Sequence, residues 1–299
     1  MRFIAAGSLI VNDIYYADGS SIMGQPGGAV IYAVEGFKLI DDDVLLVAGA
    51  GEDFDEFYGK WMDDNQLSRE GLEIRQKHCL RFGLRYEPDG RWQDVGRTEA
   101  EENTQYEVMG NHIEHLSRFL PECGGFYATH EPDRAFWQKV LDLREKHGFK
   151  IGWELPTPSI VPEYAEDNFW LIRQVDYYSL NRPESFDLFG VKTEEAAIEK
   201  MQQIGVPCFY RVGKRGAYFI KDGEVAFEPS VELGPQMDPT GCGNSSTAAC
   251  FAAMCKGYTV RQCARLGNIA AGYNVLQNGP YPKITKETRD KALQLALKD

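Results

Sequence analysis

At 299 residues, with 43% hydrophobic and 26% charged side chains, the chain has globular composition and enough length for one large domain or two ordinary ones. Its formal charge of −13 argues against a general nucleic-acid surface, which needs clustered Lys and Arg. No apolar run approaches the ~18–20 residues that cross a bilayer. The start, Met1–Gly7, lacks the apolar length and cleavage site of a signal peptide, so Phe3–Ala6 reads as a first strand. A cytoplasmic protein with no membrane contact is expected.

Strand-like and helix-like runs then alternate. Phe3–Gly7 reads as strand, Ala29–Leu39 as a helix opened by Gly27-Gly28, and Val44–Ala48 as a buried strand. Asp53–Asn65 carries Phe54, Phe57, Tyr58, Trp61 and Met62 at helical spacing. Next come strand Gly125–Thr129, helix Pro132–His147, strand Lys150–Trp153, helix Val161–Arg173 and strand Val175–Leu180. Helix Glu194–Ile204, strand Cys208–Val212 and a hairpin at Lys221-Asp222-Gly223 follow. Helices Ser245–Lys256, Thr259–Val275 and Lys286–Leu297 finish the chain. Strands separated by helices of this length predict βαβ units and a mainly parallel sheet with helices on both faces. His78–Val95 breaks the rhythm as two short strands around the turn Glu87-Pro88-Asp89-Gly90, followed by the polar, aperiodic Arg97–Gln105. With the Gly-rich Asp13–Met23 it is expected to form a small β lid (about 13–23 and 78–105) on a single domain spanning 1–299, in which Arg81, Arg85, Arg91 and Trp92 face either sugar or solvent.

Cys79, Cys123, Cys208, Cys242, Cys250, Cys255 and Cys263 contain no CxxC pair and read as reduced, mostly buried thiols. The last three lie in helical sequence at spacings that put no ligand pair on one face, with no His near, which argues against zinc. The five histidines show no metal spacing.

Asp238-Pro239-Thr240-Gly241-Cys242-Gly243-Asn244 precedes the small, apolar run Ser245–Cys255. Two glycines bracketing one residue at a helix start leave N–H groups unscreened, with the helix dipole behind them. Such a nest binds anions and can stabilise charge on a transferring phosphoryl group. Alone, the pattern reads equally as a tight turn into a packed helix.

The spacing Asp-x-Thr-Gly-x-Gly-Asx resembles the C-terminal signature of the ribokinase-like, or PfkB, carbohydrate kinases. Further pieces stand in that family's order: Gly7-Ser8 with Asn12-Asp13, Gly27-Gly28, Ala48–Asp53, Asn181-Arg182-Pro183-Glu184, Gly213-Lys214-Arg215-Gly216, and Asn268 within Leu266–Ala271. The resemblance covers nearly the whole chain. It implies a ribokinase-like α/β fold and an ATP-dependent phosphotransferase acting on a hydroxyl of a small sugar, sugar derivative or nucleoside. By the same resemblance Asp13 and Gly28 hold substrate, and Gly241, Cys242 and Gly243 receive the γ-phosphoryl. Asn181, Glu184, Arg211, Gly213, Gly216 and Asn268 border the nucleotide; Glu184 orders water on Mg²⁺, and Asp238 lies near a monovalent cation such as K⁺. Homodimers that pair through the lid are common in the family.

At one position the pattern departs. The last signature residue is ordinarily the general-base Asp; here it is Asn244, whose carboxamide is neither basic nor charged near neutral pH. General-base catalysis contributes about 10²–10⁴-fold, while phosphoryl transfer draws most of its acceleration from positioning and electrostatics. Three readings stay open: a slow kinase, a sugar- or nucleotide-binding pseudokinase, and an engineered Asp→Asn trap. Arg211 also replaces a small hydroxyl residue, and Tyr32 falls near a position where Asn often holds sugar. A nicotinamide-dependent oxidoreductase is set aside, because Gly49-Ala50-Gly51 meets Glu52-Asp53 rather than a third glycine.

Overall fold

The computed structural model describes residues 1–86, 92–95 and 106–298. Thirteen strands are placed in two sheets among the described residues. In chain order they are β1 (Phe3–Ala6), β2 (Ile10–Tyr15), β3 (Ser21–Gly27), β4 (Val44–Gly51), β5 (Leu72–Gln76), β6 (Arg81–Tyr86), β7 (Trp92–Val95), β8 (Gly125–Ala128), β9 (Lys150–Glu154), β10 (Tyr177–Asn181), β11 (Cys208–Arg211), β12 (Gly216–Lys221) and β13 (Glu224–Pro229).

The larger sheet runs β13-β12-β11-β10-β9-β8-β1-β4-β5, parallel from β11 to β5 and closed at one edge by the antiparallel β12 and β13. Its apolar strands are covered on both faces, as a parallel sheet requires. Alternation along β1 shows this directly: Phe3 and Ala5 enter one core, Ile4 and Ala6 the other. The first core is closed by helices Ala29–Ile40, Cys242–Cys255 and Val260–Asn274, and the second by Arg134–His147 and its neighbours.

Two of these helices meet backbone to backbone. A Cβ at Gly36 would lie 2.1 Å from the Ser245 carbonyl oxygen, so only glycine lets Ala29–Ile40 approach Cys242–Cys255 this closely. That contact seats the N-terminus of the Cys242–Cys255 helix over the sheet.

The smaller sheet runs β3-β2-β6-β7. The segment expected as a hairpin does form antiparallel β6 and β7, yet β6 also pairs in parallel with β2, Val11 opposite Arg81. Sheet residues begin at Ile10, before the expected Asp13 boundary. The turn Glu87-Pro88-Asp89-Gly90, Arg91 and the segment 97–105 lie outside the described residues, while Arg85 is exposed on β6.

Several boundaries move. The helix expected from Ser245 begins at Cys242, because Gly241 at φ +81° starts it three residues earlier. Asp53–Asn65 divides into a π-helical turn, Asp55–Gly59, and the α-helix Lys60–Asp64. The helix expected from Val161 begins at Ala165, after a 3₁₀ turn led by Pro162. No helix of the described residues is long and apolar enough to cross a membrane.

Candidate active site

Ligands of open α/β sheets gather outside the carboxyl ends of the parallel strands. Those ends present Tyr127 and Ala128 on β8, Glu154 on β9, Asn181 on β10 and Arg211 on β11. The N-terminus of the Cys242–Cys255 helix faces them: Asn244 Nδ2 donates to Tyr127 Oη at 3.4 Å, and Arg211 Nη1 lies 2.1 Å from where a Cβ on Gly243 would stand.

At that N-terminus one amide of the expected trio Gly241, Cys242 and Gly243 is already taken. Cys242 N–H donates to the Pro239 carbonyl at 3.1 Å and is consumed within the turn. The amides of Gly243 and Asn244, at the second and third helical positions, meet no acceptor among the described residues, as helix geometry dictates for a first turn. The open amides of this helix are therefore those of Gly243 and Asn244. Burial pushes the Cys242 thiol up to about 11, against the hydrogen bond from Asn274 Nδ2 at 3.2 Å.

Behind the amides runs a continuous polar network. The Tyr127 hydroxyl accepts from Asn244 and donates to Glu154 Oε2 at 2.5 Å. Glu154 Oε1 lies 2.8 Å from Arg211 Nη1, and Glu184 Oε2 lies 3.7 Å from Nη2. Burial works against the Arg211 charge, yet Glu154 and Glu184 outweigh it and raise its pKa. Burial, and then Glu154, hold the Tyr127 hydroxyl well above its ordinary pKa, so it remains a neutral donor.

Asn181 and Glu184 form a capping box at the start of helix Arg182–Phe189, each side chain on the other's backbone N–H at 3.0 and 2.6 Å. Thr157 Oγ1 adds a bond to Glu184 Oε1 at 2.7 Å. Both Glu184 oxygens thus already accept hydrogen bonds, with Arg211 beside them. Two of its four lone-pair sites are taken and the neighbouring guanidinium competes for the rest, so this carboxylate fits a magnesium-bound water poorly. Among the described residues no group of three or more His, Cys, Asp or Glu is arranged to hold a metal ion.

On the β2 side, Asp13 Oδ1 accepts from Gly24 N–H (2.9 Å) and Arg81 Nη2 (2.7 Å), and Oδ2 from Arg81 Nε (2.7 Å). Four lone-pair sites minus three donors leave one, on Oδ2, for a hydroxyl. Gly28, at φ +98°, caps helix Ala29–Ile40, and a Cβ there would meet the Ser8 carbonyl oxygen at 2.3 Å. Tyr32, buried on the same helix, lies against Gly241 rather than standing open as a sugar contact.

On the other side, Gly213 and Gly216 take positive φ around the 3₁₀ turn Gly213–Arg215. Asn268 Nδ2 donates to the carbonyls of Glu228 (2.7 Å) and Pro229 (3.2 Å), so its amide nitrogen ties β13 to helix Val260–Asn274, and only Oδ1 is left for a nucleotide. Asp238 Oδ1 accepts from Thr240 N–H at 2.9 Å in the turn before the nest. Asn274 Nδ2 donates to the Thr240 carbonyl at 2.6 Å, while its Oδ1 is buried with no donor among the described residues. An orphaned carbonyl oxygen beside an aspartate turn fits a monovalent cation.

Sequence reasoning passed over Tyr127, Glu154 and Asn274. For Glu154 a signal existed: a lone acidic residue ends the apolar strand Lys150–Trp153, two positions before Pro156. Tyr127, fully buried on β8, carried none.

The fold is a mainly parallel sheet with helices on both faces, and a helix start with two open amides stands at its carboxyl edge, the place where phosphates gather on open α/β sheets. The pfkB family carbohydrate kinase profile matches residues 123–287, more than half of the chain, and the chain belongs to that family. A ribokinase of Arabidopsis thaliana is 30% identical over 121 residues, 38% of this chain and 32% of that protein, so the match spans about a third of the relative's length. Among solved structures, an E. coli chain in complex with ATP and Mg²⁺ aligns with TM-score 0.78 at 16% identity, covering 98% of this chain and 99% of that one. Adenosine kinase from Sinorhizobium meliloti aligns with TM-score 0.78 at 16% identity, covering 98% of each. Arabidopsis thaliana ribokinase, solved with ribose and ATP, aligns with TM-score 0.74 at 17% identity, covering 100% of this chain and 99% of that one. At these identities the structures establish the ribokinase-like fold.

Proposed function

We propose that the chain is an ATP-dependent phosphotransferase acting on a hydroxyl of a small sugar, sugar derivative or nucleoside. The observation that carries this reading is the pair of open amides, Gly243 and Asn244, beside the Arg211 guanidinium at the carboxyl edge of the sheet. There the γ-phosphoryl meets fixed donors and a fixed cation, which is where phosphoryl-transfer catalysis is concentrated. The nucleotide lies along Gly213–Arg215 and the Asn268 helix, and the acceptor hydroxyl is held by the last lone pair of Asp13 near Gly28. The β3-β2-β6-β7 sheet acts as the lid that excludes water, and pairing of two copies through it gives a homodimer. Potassium is held by Asp238 and the orphaned Asn274 Oδ1. The protein works in the cytoplasm as one domain.

Asn244 stands at the base position, with its Nδ2 engaged by Tyr127. That engagement favours a second reading, a sugar- or nucleotide-binding sensor that turns over slowly or not at all. An engineered Asp→Asn trap would hold the same contacts. ADP formation over a panel of sugars and nucleosides, for the protein and for Asn244→Asp, tests the assignment. A rise of about 10²-fold or more on one substrate places Asn244 at the base position. Equal, substantial rates in both assign proton removal to another group. Ligand binding with no turnover in either favours the sensor, and neither binding nor turnover overturns both readings.

A further inference from the structure

Arg211 is a largely buried cation whose donors are poorly matched by the protein. Its side chain is 15% exposed, and two of its nitrogens lie near carboxylates, Glu154 at 2.8 Å and Glu184 at 3.7 Å. Nε is buried without a hydrogen-bond partner. A guanidinium offers five N–H donors in a planar fork that matches phosphate, and buried donors of this kind are ordinarily satisfied. The missing side chain at Gly243 makes room for this fork: a Cβ there would overlap Nη1 at 2.1 Å. The guanidinium is thereby brought against the two open amides.

The same residue stands where a metal would be drawn. Glu184, the carboxylate expected to order magnesium-bound water, accepts from Asn181 N–H and Thr157 Oγ1 and faces Arg211 across 3.7 Å. A divalent ion placed there would meet a fixed positive charge beside a carboxylate with two of its four lone-pair sites already taken.

We infer that Arg211 is the built-in cation of the phosphate site, supplying the charge that a divalent ion would otherwise bring to Glu184, so that this chain holds a phosphate oxyanion without metal. The inference rests on the phosphotransferase or nucleotide-binding reading of this site and deepens it. Glu154 keeps the guanidinium in place when the site is empty, and the phosphate completes the donors that the carboxylates leave unpaired. Charge-assisted contacts of this kind are about twice as strong as neutral ones, which suits an anchor.

Binding of ADP and of a non-hydrolysable ATP analogue, measured by calorimetry in EDTA and again in magnesium, tests it. The comparison is between the protein, Arg211→Ser and the double variant Arg211→Ser with Glu154→Gln. The double variant removes the buried carboxylate that Arg211→Ser alone would strand, so a folding failure of the single variant leaves the test intact. The expected result is similar affinity of the unaltered protein in both buffers, with the folded variant weakened by about 10- to 100-fold in EDTA and regaining affinity in magnesium. If the unaltered protein binds only with magnesium, or the variant matches it in EDTA, the inference falls while the reading of the site stands. If the folded protein binds neither nucleotide in either buffer, both fall.

Discussion

The ring of Tyr32 occupies the space that Gly241 leaves by having no side chain: a Cβ on Gly241 would lie 2.2 Å from Tyr32 Cδ1 and Cγ. Helix Ala29–Ile40 thereby sets the height of the turn that opens the Cys242–Cys255 helix. Gly241 also sits at φ +81°, where an L side chain is strained.

Gly241→Ala meets both obstacles at once. Strained backbone and overpacking each cost about 1–3 kcal/mol, so a loss of about 2–6 kcal/mol is expected in urea unfolding. Gly190→Ala is the control, since Gly190 shares the positive φ but has nothing within 4 Å of its added Cβ. It should cost about 1 kcal/mol. Equal losses in the two variants would show that the ring does not confine Gly241.

Glu35 gives the protein an alkaline weakness. It is 2% exposed on helix Ala29–Ile40; Oε2 accepts from Tyr281 N–H at 2.9 Å, and Oε1 has no partner among the described residues. Burial raises its pKa from 4.5 to about 8, against the Tyr281 bond. Its contribution is whole below pH 4.5, where both states hold the proton. Between 4.5 and about 8 only the folded state does, so stability falls with rising pH by up to about 1.4 kcal/mol per unit. Glu35→Gln should flatten that slope and exceed the unaltered protein in stability at pH 8. A variant with an unchanged slope places the titration elsewhere.

Asn244→Asp should exchange stability for rate. An Asp cannot donate to the Tyr127 hydroxyl, whose single proton already goes to Glu154. Loss of that bond should lower stability by about 0.5–1.5 kcal/mol, read as a falling thermal midpoint. Tyr127→Phe removes the hydroxyl from both neighbours and should cost about 1–3 kcal/mol through the stranded Glu154 oxygen. Stability unchanged in both would mean that the network contributes nothing to the fold.

Arg81→Ala should act on the acceptor substrate more than on stability. Arg81 is 41% exposed, so its pair with Asp13 is worth no more than about 1 kcal/mol. Burial would raise the Asp13 pKa, but the Arg81 fork and the Gly24 amide outweigh it and hold the carboxylate below its usual range. Stability from this depressed pKa is present above the unfolded value of about 3.8 and is lost as pH falls through the folded one. The variant should lose that acid-side increment, and its KM for the acceptor should change while its nucleotide affinity holds. A change in nucleotide affinity instead would place Asp13 and Arg81 on the wrong substrate.

Local pattern was enough for much of this chain. The alternation of apolar strands with amphipathic helices announced a parallel sheet, and Lys221-Asp222-Gly223 announced a hairpin whose Asp222 and Gly223 indeed take φ 52° and 81°. Asn181 and Glu184, three apart just past a strand end, form a helix cap. Strand β5, Leu72–Gln76, escaped notice because it lies at a sheet edge, half exposed, and so lacks a buried strand's apolar run.

Composition and periodicity, both properties of neighbours along the chain, determined the α/β class and the glycine-led helix starts, while the departure at residue 244 shows only against the signature that the sequence resembles. Which side chains face one another was settled only by the folded sheet. Tyr127, Glu154, Glu184, Arg211 and Asn244 come from three strand ends and two helix starts, and are joined by contacts such as Tyr127 to Asn244, 117 positions apart. No local rule encodes such a distance. It follows from strand order and register, which answer to the burial of both sheet faces at once, and that is a property of the whole molecule.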